Sequence, residues 1–199
     1  MNILFLTNKN AENYEQIPNF LALYDDKIKI FFDKINVKFI KENEIDFIIS
    51  DRYEYLIKED VINLLQNKII NLHPSLLPWN RGYYPNFWSI FDDTPKGVSI
   101  HKIDKGIDTG DILVQKELFF DDEDTLKTTY YKLRVAIVDL LFENWIKIKN
   151  FKLKGFKKNN IEGTHYYKKD FHEIFHLIKK NGWNTKIFEI KKIKKNYYK

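Results

Sequence analysis

The segment "DFIISDRYEYLIKEDVINLLQNKIINLH" (residues 46–73) contains two short apolar runs on either side of an amphipathic stretch. The runs at 46–50 and 68–73 are rich in isoleucine and have the length of buried strands. Between them, apolar side chains from Ile57 to Leu65 recur at helical spacing. Strand, helix and strand in this order are typical of a parallel βαβ unit, so the segment predicts an α/β fold.

The same patterns extend the sheet on both sides of this unit. Further strands are predicted at 2–7, 97–104 and 111–120, and further helices at 11–24, 35–43, 86–93 and 125–149. No glycine precedes Gly82, which excludes a G-x-G-x-x-G dinucleotide loop and a Walker phosphate loop after the first strand. A ligand is therefore expected beyond the carboxyl ends of later strands. Residues 150–199 are predicted to hold a strand or two and a helix near 170–180.

The composition is that of one soluble globular domain. The chain has 199 residues, 44% of them apolar and 16% aromatic, and no cysteine. It therefore lacks a disulfide framework and a thiolate metal or redox site. No apolar run approaches the ~20 residues of a membrane span, and no basic region precedes the first apolar run as in a signal peptide. We expect a cytoplasmic protein with no membrane partner.

The net charge of +5 is unevenly distributed. Residues 1–145 hold 17 basic and 24 acidic side chains, whereas residues 146–199 hold 16 lysines and four acids. A lysine-rich end binds phosphate-bearing ligands in some proteins and is a solvated surface in others. We favour the solvated surface and expect no nucleic-acid partner.

Asn71 and His73 are the first candidate functional residues. Because side chains alternate along a strand, both point to the same face at the carboxyl end of the 68–73 strand. The turn "HKIDKGIDTGD" (101–111) offers a carboxylate from a neighbouring strand end. An amide that stabilises an oxyanion and an imidazole–carboxylate pair that handles a proton suit attack by an amine on a carbonyl. The chain has no cysteine and no G-x-S-x-G elbow, which argues against a covalent acyl-enzyme.

Two longer motifs carry a resemblance to a known family. "NLHPSLLPWNRG" (71–82) and "GVSIHKIDKGIDTGDILVQ" (97–115) resemble the folate-dependent formyltransferases, which use 10-formyltetrahydrofolate as co-substrate. The resemblance is close over residues 68–118. It implies an N-formyltransferase with a Rossmann-like, mostly parallel sheet flanked by helices. In this interpretation residues 1–149 form the catalytic domain, shortened by about one βα unit, and 150–199 form an extension that is not an independent domain.

The resemblance also implies roles for individual residues. The family's catalytic Asn, His and Asp fall on Asn71, His73 and Asp108. Asn71 and protonated His73 are expected to stabilise the oxyanion formed when an amine attacks the formyl carbon. Asp108 is expected to sustain the imidazolium and to assist proton removal, and no metal is implied.

The cofactor side is expected to lie between two loops, 51–55 and 103–108, which hold the pterin in the family. The sequence "SDRYEYL" replaces the usual small and apolar residues of the first loop. The residues expected to contact or shape the cofactor side are Tyr53, Ser75, Leu77, Pro78, Ile103, Asp104 and Ile107.

Differences between this sequence and individual subfamilies indicate which substrate carries the amine that is formylated. The chain lacks the glycine-rich phosphate loop of the glycinamide ribonucleotide enzymes, and residues 150–199 leave little room for the C-terminal β domain of the methionyl-tRNA enzymes. It most resembles the nucleotide-sugar N-formyltransferases, whose products enter surface glycans such as lipopolysaccharide or capsule. The residues expected on the acceptor side are Arg81, Tyr84, Asn86 and Trp88, with the lysines of 152–169 near the nucleotide diphosphate. A methionyl-tRNA type of acceptor and hydrolysis of formyl-folate remain alternatives.

Two features of the sequence are compatible with other classes of protein. "HEIFH" (172–176) fits the H-E-x-x-H zinc pattern, but its apolar flanks indicate an ordinary amphipathic helix. A non-catalytic module could bind RNA or a protein through the basic tail, but the presence of Asn71, His73 and Asp108 together argues against it. The helix at 125–149 and the tail also offer a surface for a homodimer.

Overall fold

The computed structural model describes residues 1–197, so the last two residues of the predicted extension, 198–199, lie outside the described part. The strands are β1 (Asn2–Leu6), β2 (Lys27–Phe31), β3 (Phe47–Asp51), β4 (Ile69–His73), β5 (Arg81–Gly82), β6 (Gly97–Lys102), β7 (Ile112–Glu117) and β8 (His165–Tyr166). The helices are α1 (Gln16–Ala22), α2 (Val37–Glu42), α3 (Glu59–Leu65), α4 (Pro85–Phe91), α5 (Leu126–Lys149), α6 (Lys168–Ile174) and α7 (Ile187–Tyr197).

Six strands form the main sheet in the order β2-β1-β3-β4-β6-β7. The first four are parallel, whereas β6 is antiparallel to both β4 and β7. The predicted mostly parallel sheet is therefore confirmed. The carboxyl end of β4 lies beside the parallel end of β3 and the start of β6, at the edge where a ligand was expected.

Helices cover both faces of this sheet. Helices α1 and α5 pack on one face, against side chains that include Phe5 and Phe47, and α2 and α3 pack on the other, against side chains that include Leu4 and Ile48. Burial on both faces explains why the central strands are continuous apolar runs rather than alternating ones. Helix α5 begins after Thr125, whose hydroxyl accepts the Thr128 N–H at 3.1 Å.

Strand β2 was not predicted from the sequence. It reads Lys-Ile-Lys-Ile-Phe, and it lies at the edge of the sheet with β1 as its neighbour. Its lysines are exposed, as is common on edge strands, so the run lacks the apolar continuity by which the buried strands were found.

The lysine-rich extension is more ordered than predicted. Strand β8 and helix α6 match the predicted strand and helix, but α7 was missed because lysine dominates its sequence. Its buried residues Ile187 and Ile190 join a second core with Phe91 of α4 and Leu126 of α5. The extension therefore buries its apolar side chains against the first part of the chain.

Within residues 1–197, no helix combines the length and apolar character needed to cross a membrane.

Candidate active site

Asn71 and His73 lie at the end of β4 and meet Asp108 from the β6–β7 turn. The Asn71 Nδ2 donates to Asp108 Oδ1 at 3.2 Å, and the His73 Nδ1 lies 3.6 Å from Asp108 Oδ2. The three residues singled out as catalytic from the sequence are thus brought together. Their roles in a reaction stay a prediction.

Asp108 is held by groups that favour its ionised form. Its backbone has a φ of 53°, in the left-handed region that Asp tolerates better than most residues. The Gly82 N–H donates to Oδ2 at 2.9 Å, and the His101 Nε2 lies 3.4 Å from Oδ1. Burial raises the pKa of the Asp108 carboxyl, but His73, His101 and the Gly82 N–H outweigh it and hold that pKa well below its usual range.

The His73 ring is buried between two acceptors. It is 4% exposed, and its Nε2 lies 3.1 Å from the Asn80 carbonyl oxygen. Since a carbonyl only accepts, Nε2 carries a proton, and Nδ1 is the nitrogen that faces Asp108. Burial lowers the pKa of His73, and the Asp108 carboxylate and the Asn80 carbonyl partly offset this shift. The ring is therefore placed to share a proton with Asp108 through Nδ1.

His101 belongs to the same cluster and was missed as a candidate site residue. It is 1% exposed and is paired with Asn71 in the sheet register. Its Nδ1 donates to the Lys102 carbonyl oxygen at 2.7 Å, and its Nε2 lies 3.3 Å from Asn71 Nδ2 and 3.4 Å from Asp108 Oδ1, so Nε2 can accept from the amide or, when protonated, donate to the carboxylate. The signal in the sequence was the polar pair Ser99 and His101 within an otherwise apolar strand.

This arrangement bears on the role expected for Asn71. Its Nδ2 already faces both Asp108 and His101, while its Oδ1 has no hydrogen bond to any residue in 1–197. The amide as placed has its unpartnered acceptor at Oδ1, and its expected role toward an oxyanion stays a prediction.

A cavity of about 180 Å³ opens beside Asp108. Its walls come from the loop that holds Leu77, Pro78 and Arg81, from the turn after Asp108, and from residues 157–163 of the extension. The two β4 residues of the cluster do not line it. A larger recess of about 390 Å³ is lined by residues 157–161 of the extension and has no carboxylate or imidazole among its lining residues, so the smaller cavity beside Asp108 is the candidate site.

The residues predicted around the 75–78 loop divide into lining and supporting groups. Leu77 and Pro78 line the cavity. Ser75 is 1% exposed, and its hydroxyl donates to the Trp79 carbonyl oxygen at 2.7 Å. The Ser99 hydroxyl donates to the Ser75 carbonyl oxygen and accepts the Leu77 N–H. Ser75 therefore shapes the loop and does not reach the cavity.

The predicted residues of the 103–108 loop are placed in different environments. Asp104 accepts the Gly106 N–H at 3.0 Å and the Thr109 hydroxyl at 2.5 Å, which closes the turn that carries the candidate catalytic carboxylate. Ile103 packs against the core on the α2 and α3 face. Ile107 is 36% exposed and is free to cover a ligand.

The Tyr53 hydroxyl is hydrogen-bonded within the protein. The hydroxyl donates to the Asp33 carbonyl oxygen at 2.7 Å, and burial raises the pKa of Tyr53 to about 12. The ring, which contacts Tyr55, is the part that remains for a ligand.

Arg81 and Tyr84, predicted on the acceptor side, remain accessible. Arg81 lines the cavity. Tyr84 is 37% exposed, and its ring contacts Phe171 and Trp183 of the extension.

Asn86 and Trp88, predicted on the acceptor side, are buried, and their contact with an acceptor stays a prediction. Both lie in α4, which is buried between α5 and the extension. The Asn86 Nδ2 donates to the Leu126 carbonyl oxygen at 2.9 Å, and the Trp88 ring stacks on Tyr166 with centroids 3.8 Å apart. In this structure both side chains join α4 to neighbouring elements of the protein.

The extension returns to the site through β8. Strand β8 pairs in parallel with β5, and the Thr164 hydroxyl accepts the Asn80 N–H at 2.8 Å. Of the lysines in 152–169, Lys157 and Lys158 line the cavity beside Asp108.

The "HEIFH" segment does not have the geometry of a zinc motif. Helix α6 ends at Ile174, and residues Phe175–Ile178 form a 3-10 turn, so His172 and His176 are not on one continuous helix. The His176 Nδ1 donates to the Glu173 carbonyl oxygen at 2.9 Å. Across residues 1–197, no three His, Asp or Glu side chains form a group that could hold a metal ion.

Fold and site together define a class of protein. An ionised carboxylate, an imidazole and an amide meet at the strand ends of an α/β sheet, without a cysteine in the chain, which is a site for proton-assisted transfer at a carbonyl. The chain belongs to the formyl transferase family, whose model matches residues 2–144.

Three relatives illustrate the range of that family. The solved formyltransferase PseJ from Anoxybacillus kamchatkensis, in complex with UDP-4,6-dideoxy-4-formamido-L-AltNAc and tetrahydrofolate, is 38% identical with a TM-score of 0.87. That match covers 96% of this chain and 97% of PseJ. A methionyl-tRNA formyltransferase from Fusobacterium nucleatum is 32% identical over 74% of this chain and 49% of its own. A dTDP-4-amino-4,6-dideoxyglucose formyltransferase from Mycobacterium bovis is 33% identical over 55% of this chain and 47% of its own. The chain thus spans about half the length of the curated relatives that it matches.

Proposed function

We propose that the protein transfers a formyl group from 10-formyltetrahydrofolate to the amine of a nucleotide-linked amino sugar. The observation that carries this proposal is the similarity to PseJ over nearly the whole of both chains. By that similarity, the acceptor is a UDP-linked 4-amino-4,6-dideoxy sugar, and the product is an N-formyl sugar used in a surface glycan. We further propose that the reaction takes place in the cytoplasm.

The residues at the cavity fit a formyl donor. Asp108 opens onto it, and its apolar wall is formed by Leu77, Pro78 and Ile112, with the exposed Ile107 on the adjacent turn. The bound donor supplies an activated one-carbon carbonyl. The chain's own residues orient the amine and handle its proton.

Proton handling is assigned to Asp108 and His73. Asp108 is held ionised and lies at the cavity, so it is the group that meets the ammonium or amine proton of the acceptor. The His73 Nδ1 lies 3.6 Å behind it and can take over that proton, while Nε2 stays bonded to Asn80. Asn71 does not line the cavity; it holds Asp108 through its Nδ2 at 3.2 Å and so positions the carboxylate that meets the amine.

The methionyl-tRNA relatives support the same chemistry on a different amine. Their identity to this chain is 32% in the Fusobacterium protein, but the match covers only about half of that protein. A methionyl-tRNA acceptor is therefore the second candidate.

The test is a turnover assay with a defined acceptor set. Purified protein is mixed with 10-formyltetrahydrofolate and, separately, the UDP-linked 4-amino sugar, dTDP-4-amino-4,6-dideoxyglucose, methionyl-tRNA or no acceptor. Tetrahydrofolate release and the mass of the product are recorded, with His73→Ala as the inactive control. We expect N-formylation of the UDP-linked sugar. Equal release without any acceptor would identify a hydrolase, and turnover with methionyl-tRNA alone would replace the sugar proposal.

A further inference from the structure

Residues 157–163 cross the cavity as a segment held at both ends, which we call the strap. Before it, Ile112 and Phe156 exchange two backbone hydrogen bonds of 2.8 and 3.0 Å. After it, the Arg81 N–H donates to the Thr164 carbonyl oxygen at 3.0 Å. The strap itself is mostly exposed. Its side chains are therefore placed over the cavity by backbone pairing rather than by packing.

Arg81 enters the cavity without an internal partner for its charge. Its backbone is fixed by pairing with β8, yet its Nε is buried and has no hydrogen-bond partner among the described residues. No carboxylate of residues 1–197 forms an ion pair with its guanidinium. A buried donor without an acceptor is costly, so this group is suited to an acceptor that arrives with a ligand.

Two lysines of the strap add to this charge. Lys158 forms no ion pair within residues 1–197, and Lys157 lies 4.0 Å from Asp104 and 3.9 Å from Asp111, both long contacts at half-exposed side chains. Asp104 and Asp111 do not line the cavity, and Asp108, the one carboxylate among its described lining residues, is already paired with the histidine cluster. The cavity thus combines one planar cation with two mobile ones that lack strong partners.

We propose that Arg81, Lys157 and Lys158 form a subsite for a phosphate group of the acceptor, a proposal that rests on the function proposed above. Guanidinium forks and lysine ammonium groups are the side chains that bind phosphate oxygens through charge-assisted hydrogen bonds. Since the same cavity holds Asp108, a bound phosphate positions the acceptor relative to the proton-handling group. The strap is then a specificity element supplied by the extension.

The experiment measures binding of UDP and of inorganic pyrophosphate by calorimetry, with the full chain and no folate. The variant is Lys157→Met with Lys158→Met, which keeps the apolar stems. The matched control is Lys179→Met with Lys180→Met, an adjacent exposed lysine pair in the same extension. We expect the strap variant to weaken UDP binding by about tenfold or more, the size of one charged hydrogen bond, and the control to bind as the parent does.

Steady-state kinetics distinguish a phosphate of the UDP-linked sugar from a carboxylate of the folate as the anion that is bound. A phosphate subsite predicts a higher KM for the UDP-linked sugar with an unchanged kcat, because the contact is equal in the ground and transition states. A raised KM for the formyl-folate alone would assign the subsite to a folate carboxylate and overturn the proposal. The single variant Lys158→Met breaks no ion pair in the described structure. A change in UDP binding in this variant would therefore come from the lost charge and not from a change in the position of the strap.

Two further results would contradict either the phosphate subsite or the proposed function. Unchanged binding of UDP and pyrophosphate in the double variant, or no binding by the parent, contradicts the subsite. Lysine-dependent UDP binding without formyl transfer to any sugar leaves the subsite standing and rejects the proposed function.

Discussion

The cluster at the end of β4 and the strap face the same cavity but are built in opposite ways. In the cluster, His73 and His101 are 4% and 1% exposed, and Asp108 is contacted from four sides. In the strap, the side chains are mostly exposed and the lysines lack close partners. The carboxylate and the two imidazoles of the cluster have partners within the protein, whereas the lysines of the strap are placed to bind a ligand.

This difference separates chemistry from recognition. Groups that move a proton must be held in one geometry and one charge state, which requires burial and hydrogen bonds. Groups that bind an anionic substrate gain from remaining hydrated until the substrate arrives, because no internal ion pair must be broken. Changes in the cluster should therefore affect kcat and stability, and changes in the strap should affect KM.

The largest effect is expected from Asp108→Asn. Asparagine has the same shape and also tolerates a left-handed backbone, so the fold should persist. Losing the proton acceptor should lower kcat by about 10²- to 10⁴-fold, while UDP binding, measured by calorimetry, stays within a few-fold of the parent. A variant that retains full kcat would place the proton-handling group elsewhere.

The next largest effect, on stability, is expected at the buried ion pair between Asp51 and Arg134. Asp51, at the end of β3, is fully buried and receives two hydrogen bonds from Arg134 of α5, of 2.6 and 2.8 Å. Arg134→Met removes both of these hydrogen bonds and leaves Asp51 only the 3.3 Å contact with Arg52 Nε, so the free energy of unfolding should fall by about 3 kcal/mol, the lower end of the range for breaking a buried ion pair. Urea unfolding measures it. Asp51→Asn combined with Arg134→Met should recover part of the loss, and a double variant no more stable than the single one would contradict the explanation.

The sequence predicted most of the cluster at the end of β4 but not the position of the strap. Asn71, His73 and Asp108 could be found because they sit at strand ends in recognisable motifs. His101 was missed because its signal, a polar pair with Ser99 inside an apolar strand, does not by itself distinguish a site residue from a buried structural histidine. The placement of the strap could not be predicted, since it depends on β8 pairing with β5, some eighty residues earlier in the chain. The burial of Trp88 likewise depends on Tyr166 of β8, and that of Asn86 on its bond to Leu126 of α5, both distant in the sequence.

The pH dependence of stability tests the charge states of the cluster. Asp108 has a depressed pKa in the folded state, so its stabilisation is present above its ordinary value of 3.8 and is lost as the pH falls through and below it. His73 also has a depressed pKa, so the folded state favours the neutral ring, and stability declines as the pH falls below 6.5. The free energy of unfolding, measured from pH 8 to pH 3, should decline once below pH 6.5 and again near and below pH 3.8. In Asp108→Asn the decline near pH 3.8 should diminish, while the decline below pH 6.5 persists. An unchanged profile in this variant would contradict the ionised state assigned to Asp108.

The smallest effect is expected where the two regions meet, at Asn80. Its carbonyl oxygen accepts the His73 Nε2–H, whereas its N–H donates to the Thr164 hydroxyl at the end of the strap. Thr164→Val keeps the shape and removes that hydroxyl, so the free energy of unfolding should fall by about 1 kcal/mol. With Thr164→Ser as the control that retains the hydroxyl, steady-state kinetics should show a modest rise in KM for the acceptor and an unchanged kcat. A fall in kcat would mean that Asn80 transmits the position of the strap to His73, and the separation of chemistry from recognition would then be incomplete at this residue.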